Sequence, residues 1–422
     1  MILKGNFLYT PSPEQIVIRE NAFLIVEDGK IKDICDTLPE GYSGRPVTDY
    51  GQALVIPAFN DLHIHAPQLI NRGVGFDKEL LPWLETYTFP VESRYSDPAF
   101  ADRAYRLFLN KLWASGTMRF CAFATIHKNS AWQLMRLTEQ AGLCAFIGKV
   151  NMDRNSPDYL CEDTDTSLEE TEELIVKSKE ELKHVRYILT PRFVPATTEK
   201  MMKGLGKLGE KYNLPVQSHL SENRSEIEWV HSLHPGIPSY TEVYNEYGLL
   251  RENQTIMAHS IWLSDGEKDL LRSKNIMLAH CAQSNADLSS GIMPLRKNLE
   301  MGMRCCIASD VAGSHTPDMN RHIAASIEVS KLNWLSHPEE KPLTLTEAFY
   351  LATKKSGEFF GKTGSFEQGY DFDALVIETD EMNGMFPRTP FEKLEQFIYD
   401  GDDRNIIDRY CCGEKISRPF HL

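Results

Sequence analysis

The central part of the chain alternates short apolar, β-branched runs with longer segments of helical period. Eight such runs each predict one strand: ALVIPAF, TMRFCAFATI, LCAFIGKVNM, VRYILTPRFV, LPVQSHL, TIMAHSI, IMLAHCA and MRCCIASDV. Between them, apolar positions recur at helical spacing, as at Phe100, Ala104 and Phe108 ahead of Gly116. Eight strand–helix units predict an α/β fold, a (β/α)8 TIM barrel over residues 57–361.

The two ends of the chain have a different sequence pattern, in which turns separate strand-like runs. FLIVEDGKIKDI sets Asp28-Gly29 between two such runs, which predicts a tight hairpin with both turn residues at positive φ. Near the C-terminus, DFDALVIET and RYCCGEKI are strand-like segments next to glycine turns. We therefore expect residues 1–56 and residues 362–422 to build one small β-sandwich together.

Three capping-box signatures predict helix starts within the barrel segment. They pair Ser167 with Glu170, Ser264 with Glu267, and Thr344 with Glu347. A further segment, residues 67–98, is an unusually long connection and carries the aromatic sequence LPWLETYTFP. Long connections at a barrel mouth often serve as lids, although such aromatic residues can also simply pack.

Composition and charge limit the classes of partner. The 422 residues are 42% apolar and 25% charged, as in ordinary globular proteins. The formal charge of −15 repels a phosphate backbone, so we expect neither nucleic acid nor an anionic membrane as partner. The absence of a leader pattern and of a long apolar run predicts a cytoplasmic protein. Nine cysteines without a CxxC motif indicate neither a disulfide framework nor a cysteine-based zinc site.

Polar residues follow the predicted strands at the end where such barrels build their active sites. His63 and His65 close the first run, and in an extended strand they share one face. An HxH pair alone also occurs by chance. Here it is joined, on later strands, by His127, Arg192, His219, His259, His280 and Asp310. This recurrence predicts a metal site at the barrel mouth.

The candidate metal ligands have the chemistry of a catalytic zinc site. Zn²⁺ in such a site takes nitrogen and oxygen ligands and keeps one position for water. The candidates are His63, His65, His219 and Asp310. Three neutral imidazoles and one carboxylate leave a net charge of about +1, which draws the pKa of a bound water toward neutrality. We expect one Zn²⁺ per chain, with Fe²⁺ as the alternative.

One of these ligands, Asp310, and the nearby residues Glu222 and His259 are candidates for catalytic roles. Glu222, three residues past His219, is placed to pass a proton from water to a substrate nitrogen, although a helix-cap or surface glutamate is the alternative. Asp310 can accept the water's proton as well as bind the metal. His259 is expected to hydrogen-bond the water or the developing oxyanion. His280 either joins the site or braces its loop, and the role of His127 is open.

Arg192 and Phe193 are the candidates for holding a substrate. A guanidinium beside an aromatic ring suits a planar heterocycle that carries a carbonyl oxygen. The alternative for Arg192 is a surface ion pair. The sequence thus favours a small, flat, polar substrate.

Together these motifs resemble the amidohydrolase superfamily, and within it the barrel-type guanine deaminases. DLHIHAPQ, FATIHKNS, MAHS, HCAQSNADLSSG and SDVAGS match that superfamily's segments in order, and the likeness covers nearly the whole chain. TYTFP, TPRF beside HLSEN, and GDDRNI narrow the likeness to guanine deaminases.

This resemblance implies hydrolysis of guanine to xanthine and ammonia at a single zinc. It implies the same four ligands, with Glu222 as proton shuttle and His259 polarising the water or the tetrahedral centre. It also implies that Gln68, Arg192 and Phe193 hold the purine. Members are typically cytosolic homodimers with a small β-sandwich built from the chain ends.

The chain departs from the family pattern at two places, and two other functions are alternatives to guanine deamination. The family usually has proline where this chain has Ala282, and glycine-threonine where it has Ala308-Ser309. Another reaction on the same scaffold is the first alternative: deamination of a pterin, cytosine or aminotriazine, or hydrolysis of a ring chloride or amide. The second is a non-catalytic assembly protein, which the retention of every candidate ligand and of Glu222 disfavours.

Overall fold

A computed structural model describes residues 1–378 and 385–421. Its strands form a barrel and, beside it, a sheet made from both chain ends. In chain order the strands are β1 (Ile2–Ser12), β2 (Gln15–Glu27), β3 (Lys30–Cys35), β4 (Thr48–Pro57), β5 (Phe59–His65), β6 (Thr117–Phe123), β7 (Cys144–Gly148), β8 (Val150–Asn151), β9 (Val185–Tyr187), β10 (Thr190–Pro191), β11 (Val216–Leu220), β12 (Thr255–His259), β13 (Met277–His280), β14 (Arg304–Ile307), β15 (Ala374–Ile377), β16 (Ile406–Cys411) and β17 (Glu414–Lys415).

Helices connect the strands and surround the barrel. In chain order they are α1 (Leu80–Trp83), α2 (Phe89–Ser93), α3 (Pro98–Ser115), α4 (Lys128–Gln140), α5 (Thr164–Glu181), α6 (Glu199–Tyr212), α7 (Arg224–Leu233), α8 (Tyr240–Glu246), α9 (Asp265–Ser273), α10 (Ala282–Asp287), α11 (Leu295–Glu300), α12 (Met319–Ser336), α13 (Leu345–Tyr350) and α14 (Pro390–Tyr399). Short 3₁₀ turns lie at Glu40–Tyr42, Ala66–Asn71, Arg94–Ser96, Asp158–Leu160 and Val194–Ala196, and π turns at Leu84–Thr88 and Leu351–Lys355. No described helix has both the length and the apolar content that crossing a membrane requires.

The predicted (β/α)8 barrel is confirmed. Its parallel strands run β5-β6-β7-β9 and β11-β12-β13-β14 in two ladders. A bridge between Leu189 and Val216 joins the two ladders at one side. At the other side the Asp310 amide donates to the His63 carbonyl at 2.8 Å, and the His65 amide donates to the Val311 carbonyl at 2.9 Å. These bonds bring the first and last strands together, and with them the HxH motif and Asp310.

The first barrel strand is not the run that the sequence pattern predicted. ALVIPAF is divided: its first five residues end strand β4 of the terminal sheet, and β5 begins at Phe59. Both strands are buried through this region, so the apolar run continues across the boundary between them. Apolar pattern alone therefore could not separate two consecutive buried strands.

Strands from both ends of the chain form one seven-stranded sheet, in the order β17-β16-β15-β4-β1-β2-β3. β15 pairs antiparallel with β4, which joins the C-terminal strands to the N-terminal ones. The predicted hairpin between β2 and β3 is confirmed, with φ of 50° at Asp28 and 73° at Gly29. The last residue of DFDALVIET, Thr379, lies outside the described residues, as do residues 380–384 and 422 of the segment 362–422.

Two of the three predicted capping boxes are confirmed. Ser264 with Glu267 opens α9, and Thr344 with Glu347 opens α13. The third is wrong, because α5 starts earlier, with the Asp163 side chain accepting from the Thr166 amide. Ser167 lies inside α5, where its hydroxyl accepts a hydrogen bond from Lys149. The predicted end of α3 at Gly116 is confirmed, with φ of 82°.

Candidate metal and active site

The four predicted ligands converge at the C-terminal mouth of the barrel. Ligand atoms of His63, His65, His219 and Asp310 all lie within 4.8 Å of one another. The Asp310 Oδ1 atom is 3.1 Å from His63 Nε2 and 3.4 Å from His65 Nε2. The Nε2 atoms of His65 and His219 are 3.1 Å apart. His219 from β11 and Asp310 from the loop after β14 thus join His63 and His65 of β5.

The His65 and His219 nitrogens are poised as neutral ligands. The His219 Nδ1–H donates to the Arg192 carbonyl at 2.6 Å, which leaves the Nε2 lone pair facing the cluster. Burial lowers the pKa of His65 to about 4 and, with help from the neighbouring imidazoles, lowers that of His219 well below its usual value. His63 Nε2 is buried and has no hydrogen-bond partner among the described residues. Converging lone pairs of this kind, beside a carboxylate, fit a divalent metal ion.

Asp61 supports this cluster from beneath, a role that the sequence pattern did not reveal. The buried carboxylate accepts hydrogen bonds from the His63 amide at 3.2 Å and from the Ser309 amide at 3.0 Å. The Ser309 hydroxyl also donates to it. Asp61 therefore fixes the backbone on both sides of the barrel closure, and Ser309 supplies a hydroxyl at one of the two sites where the chain departs from the family pattern.

Glu222 and His259 lie next to the cluster. The Glu222 Oε2 atom is 3.4 Å from His259 Nε2, and that nitrogen is 3.6 Å from Asp310 Oδ2. Burial, reinforced by the Asp310 charge, raises the pKa of Glu222 to about 8 although the Ser290 hydroxyl donates to it. Glu222 is thus neither a helix cap nor a surface residue, since Asn223 caps α7 and the Glu222 side chain is buried. A carboxyl group with this pKa can both hold and release a proton near neutral pH.

His259 is oriented through its Nδ1 atom, and Asp310 is held by the Ser284 hydroxyl. The His259 Nδ1–H donates to Asn285 Oδ1 at 2.8 Å, which turns Nε2 toward Glu222 and Asp310. The Ser284 hydroxyl donates to Asp310 Oδ2 at 2.6 Å. Both supporting residues belong to α10, so this short helix positions two functional groups at once.

Gln68 and Arg192 line the same cavity, and both bind Glu92, whose role the sequence did not reveal. The buried Glu92 carboxylate accepts from Gln68 Nε2 at 2.8 Å and from Arg192 Nη1 at 2.7 Å. The Arg192 guanidinium lies over the Phe89 ring, 5.1 Å from its centroid. Arg192 is ion-paired, but inside the protein rather than on its surface. Nothing in the spacing of Glu92 distinguishes it from any other glutamate of the long connection.

The long connection over residues 67–98 covers the cavity. It folds into short helical turns, and Leu80, Trp83 and Leu84 contribute apolar wall. The Trp83 indole donates to the Val74 carbonyl at 2.9 Å, so this wall is anchored within the same connection. Phe193 completes the lining opposite, and its ring meets that of Trp229 edge-on. The cavity therefore combines apolar faces with a few polar groups at fixed positions.

Two of the histidines singled out in the sequence stand apart from the converging ligands. His127 lines a separate cavity with Tyr95 and Glu162. His280 is buried at the end of β13, and burial together with neighbouring His259 lowers its pKa to about 4, so its ring is neutral. Its backbone carbonyl accepts from the Ala308 amide at 3.0 Å, which pairs the last two barrel strands.

An eight-stranded parallel barrel with histidines, a carboxylate and a buried acid gathered at its C-terminal mouth defines the class of metal-dependent barrel hydrolases. The chain belongs to the amidohydrolase family, whose model matches residues 54–416.

The relatives of this chain include several guanine deaminases, which confirms the resemblance of its motifs. Guanine deaminase of Dictyostelium discoideum is 42% identical over 379 residues, 88% of this chain and 84% of its own length. The crystal structure of guanine deaminase from C. acetobutylicum with bound guanine is 46% identical, covers 99% of both chains and superposes with a TM-score of 0.96. Atrazine chlorohydrolase from Arthrobacter aurescens TC1 complexed with zinc shares the fold at 15% identity, covering 99% of this chain and 95% of its own, with a TM-score of 0.87.

Proposed function

We propose that this protein hydrolyses guanine to xanthine and ammonia. The observation that carries the proposal is the convergence of His63, His65, His219 and Asp310 beside the buried acid Glu222. The 46% identity over 99% of the chain to a guanine deaminase that holds guanine supports the choice of substrate.

We propose that these four residues hold one Zn²⁺ per chain, with Fe²⁺ as the alternative. The set of three imidazoles and one carboxylate suits either ion, and zinc is bound in the more distant atrazine chlorohydrolase of the same fold. When bound, such an ion makes water a competent nucleophile near neutral pH. Elemental analysis of the purified protein distinguishes the two metals.

In this proposal the proton transfers run through Glu222. Its buried carboxyl lies 3.4 Å from His259 Nε2, which is itself 3.6 Å from Asp310 Oδ2, so it can take a proton at one oxygen and deliver it to a ring nitrogen of the substrate. A second transfer to the amino group lets nitrogen depart as neutral ammonia rather than as an amide ion. His259 Nε2 faces the same space and hydrogen-bonds the water or the developing oxyanion, while Asp310 accepts the water's proton.

The purine is held, we propose, by Gln68, Arg192 and Phe193. The guanidinium of Arg192 suits the guanine carbonyl, the amide of Gln68 can pair with the edge of the ring, and the Phe193 ring offers an apolar face. Because Glu92 binds both Gln68 and Arg192, the two polar groups form one unit. His219, the proton carrier Glu222 and the hydrogen-bonding His259 complete the contacts on the reacting side.

The experiment is turnover of guanine compared with a panel of pterin, cytosine and aminotriazine substrates, following both ammonia and the ring product. Xanthine formation with a clear preference for guanine is expected. Replacement of Arg192 by Ala is expected to reduce guanine turnover far more than it changes metal content. Equal turnover of guanine and the other heterocycles by the wild-type protein would refute the proposed substrate.

We also propose that the protein is a cytoplasmic homodimer. Members of the family that its motifs resemble are typically cytosolic homodimers, which supports both parts of this proposal. At the end of α12, Leu332, Trp334 and Leu335 are exposed and offer apolar surface that a second copy would cover. Sedimentation of the wild-type protein and of a variant with Leu332→Ser and Leu335→Ser tests the assembly, which the double substitution is expected to weaken.

A further inference from the structure

Three cysteine thiols meet at the end of the barrel opposite the candidate active site. Cys144 begins strand β7, whereas Cys411 and Cys412 lie at the end of β16 and in the turn that follows. The Cys144 and Cys412 sulfur atoms are 2.9 Å apart, and those of Cys144 and Cys411 are 3.8 Å apart. Cys144 and Cys412 are 268 positions apart in the chain, yet the fold places their thiols side by side.

The surroundings of Cys412 favour its thiolate. Arg119 Nη2 donates to its sulfur at 3.3 Å. The hydrogen bond with the Cys144 thiol holds the pKa of Cys412 well below its usual range, and the charge of Arg119 adds to this effect. A thiol next to a fixed guanidinium is a far better nucleophile toward an oxidant than an ordinary thiol, because the thiolate is the reactive form.

Small molecules can reach this sulfur. Cys412 is half-buried and lines a surface cavity of about 300 Å³ together with Arg119, Lys183 and His184. Cys144 is buried behind it, and Cys411 donates to the Met118 carbonyl at 3.6 Å. The arrangement has a half-buried thiolate and a more deeply buried neighbouring thiol, both at a cavity that several basic residues line.

We propose that Cys412 and Cys144 form a redox-sensitive pair that hydroperoxides convert to a disulfide. The Cys412 thiolate attacks one peroxide oxygen; the O–O bond breaks, the other oxygen leaves as hydroxide or alkoxide and takes a proton from solvent, and the sulfur is oxidised to a sulfenic acid. The Cys144 sulfur then attacks the Cys412 sulfur, the S–O bond breaks, and the oxygen leaves with the thiol proton as water. A small-molecule thiol restores both cysteines by exchange.

The same geometry disfavours a metal ion as the occupant of this cluster. Zn–S bonds of about 2.3 Å in a tetrahedral site hold two sulfur atoms about 3.8 Å apart, whereas those of Cys144 and Cys412 lie 2.9 Å apart. The disulfide would tie barrel strand β7 to the turn between β16 and β17, and it would leave the opposite mouth of the barrel unchanged.

The test treats the full reduced protein, with its metal, with a few equivalents of hydrogen peroxide. Free thiols are then counted, and the cross-linked peptides are identified by mass spectrometry. Loss of two of the nine thiols is expected, with Cys144 joined to Cys412 and full recovery on addition of dithiothreitol. In Cys144→Ser, a cyclic 1,3-diketone is expected to trap Cys412 as its sulfenic acid.

Cys161 provides the matched control, because it is the exposed free cysteine of the described residues. The Cys161→Ser variant is expected to cross-link like wild type, and in the wild-type protein Cys412 is expected to react about tenfold faster than Cys161 or more. Equal reaction rates, a Cys144–Cys411 linkage, or a second tightly bound metal that protects the three thiols would each overturn the proposal.

Discussion

At the scale of single residues, the candidate site depends on side chains that hold other side chains. The Glu92 carboxylate, Asp61 and Asn285 each bind a residue with a proposed role in chemistry or recognition. The sequence revealed the proposed ligands, because histidines and an aspartate recur at strand ends. It did not reveal Glu92 or Asn285, because a carboxylate or an amide in a loop has no spacing rule that marks its partner.

Glu92 offers a direct test at this scale, one that rests on the proposed function. In Glu92→Gln the Arg192 guanidinium loses its buried counter-charge, so its orientation is no longer enforced. We expect the KM for guanine to rise by roughly tenfold or more, with a smaller change in kcat, because recognition and not proton transfer is affected. Steady-state kinetics at fixed pH, with metal content measured in parallel, provides the readout.

Glu85 lies in the same connection and is exposed, so Glu85→Gln is the control for Glu92→Gln. It should leave both kinetic parameters near their wild-type values. If the two variants gave the same KM, Glu92 would have no positioning role.

At the scale of helices and strands, the functional side chains lie at helix starts and strand ends. The first turn of α7 follows Glu222 directly, and its residue Glu226 accepts from the Glu222 amide at 3.0 Å and from the Tyr240 hydroxyl at 2.7 Å. Burial, with the nearby Glu222 carboxyl, raises the pKa of Glu226 to about 7. The helix start that positions the proposed proton carrier therefore holds a second buried acid.

This raised pKa predicts how stability changes with pH. Between about pH 4.5 and pH 7 the folded protein retains a proton on Glu226 that the unfolded chain releases, so this contribution to stability is lost as pH rises through 7. Glu226→Gln lacks the titration. As the pH rises from 5 to 8, the free energy of unfolding of Glu226→Gln is expected to increase relative to that of wild type, by up to about 3 kcal/mol.

Urea unfolding at several pH values measures this difference. Glu228→Gln, at an exposed position of the same helix, is the control and should follow the wild-type pH profile. A constant difference between Glu226→Gln and wild type across the range would mean that Glu226 titrates normally.

At the scale of the whole molecule, the barrel and the terminal sheet pack through a few close contacts. Gly116 ends α3 just before barrel strand β6, and a Cβ atom there would lie 2.6 Å from Leu375 Cδ1 of β15 and 3.1 Å from Ile406 Cδ1 of β16. Arg119 in β6 binds Asp373, next to β15, at 2.6 Å. The sheet built from the chain ends is thus fixed against the barrel.

Gly116→Ala should therefore disrupt the junction between barrel and sheet. Gly302 has a similar φ of 76°, against 82° for Gly116, but no atom of the described residues lies within 4 Å of its Cβ position. Gly302→Ala is expected to cost only the conformational strain, about 1 kcal/mol, and Gly116→Ala about 2–4 kcal/mol because the clash adds to it. Unfolding midpoints in urea test the comparison, and equal losses would exclude a tight junction.

The sequence predicted the barrel correctly but not the run that forms its first strand. Strand–helix alternation and polar residues at strand ends are repeated signals, so an error in one unit did not alter the fold class. The limits of the first strand and of α5 each rest on one local cue: the apolar run continues across two strands, and the Asp163 cap precedes the predicted Ser167. Contacts between distant segments, such as Glu92 with Arg192 or Cys144 with Cys412, have no local signature at all.

The central claim is hydrolysis of guanine with Glu222 carrying the proton. Its most direct measurement is xanthine and ammonia release by purified wild-type protein, Glu222→Gln and the exposed control Glu228→Gln, each with its metal quantified. We expect turnover with about one metal ion per chain in wild type and control, and a loss of about a thousandfold in Glu222→Gln although its metal is retained. Wild-type protein that carries the metal but leaves guanine unchanged would contradict the account.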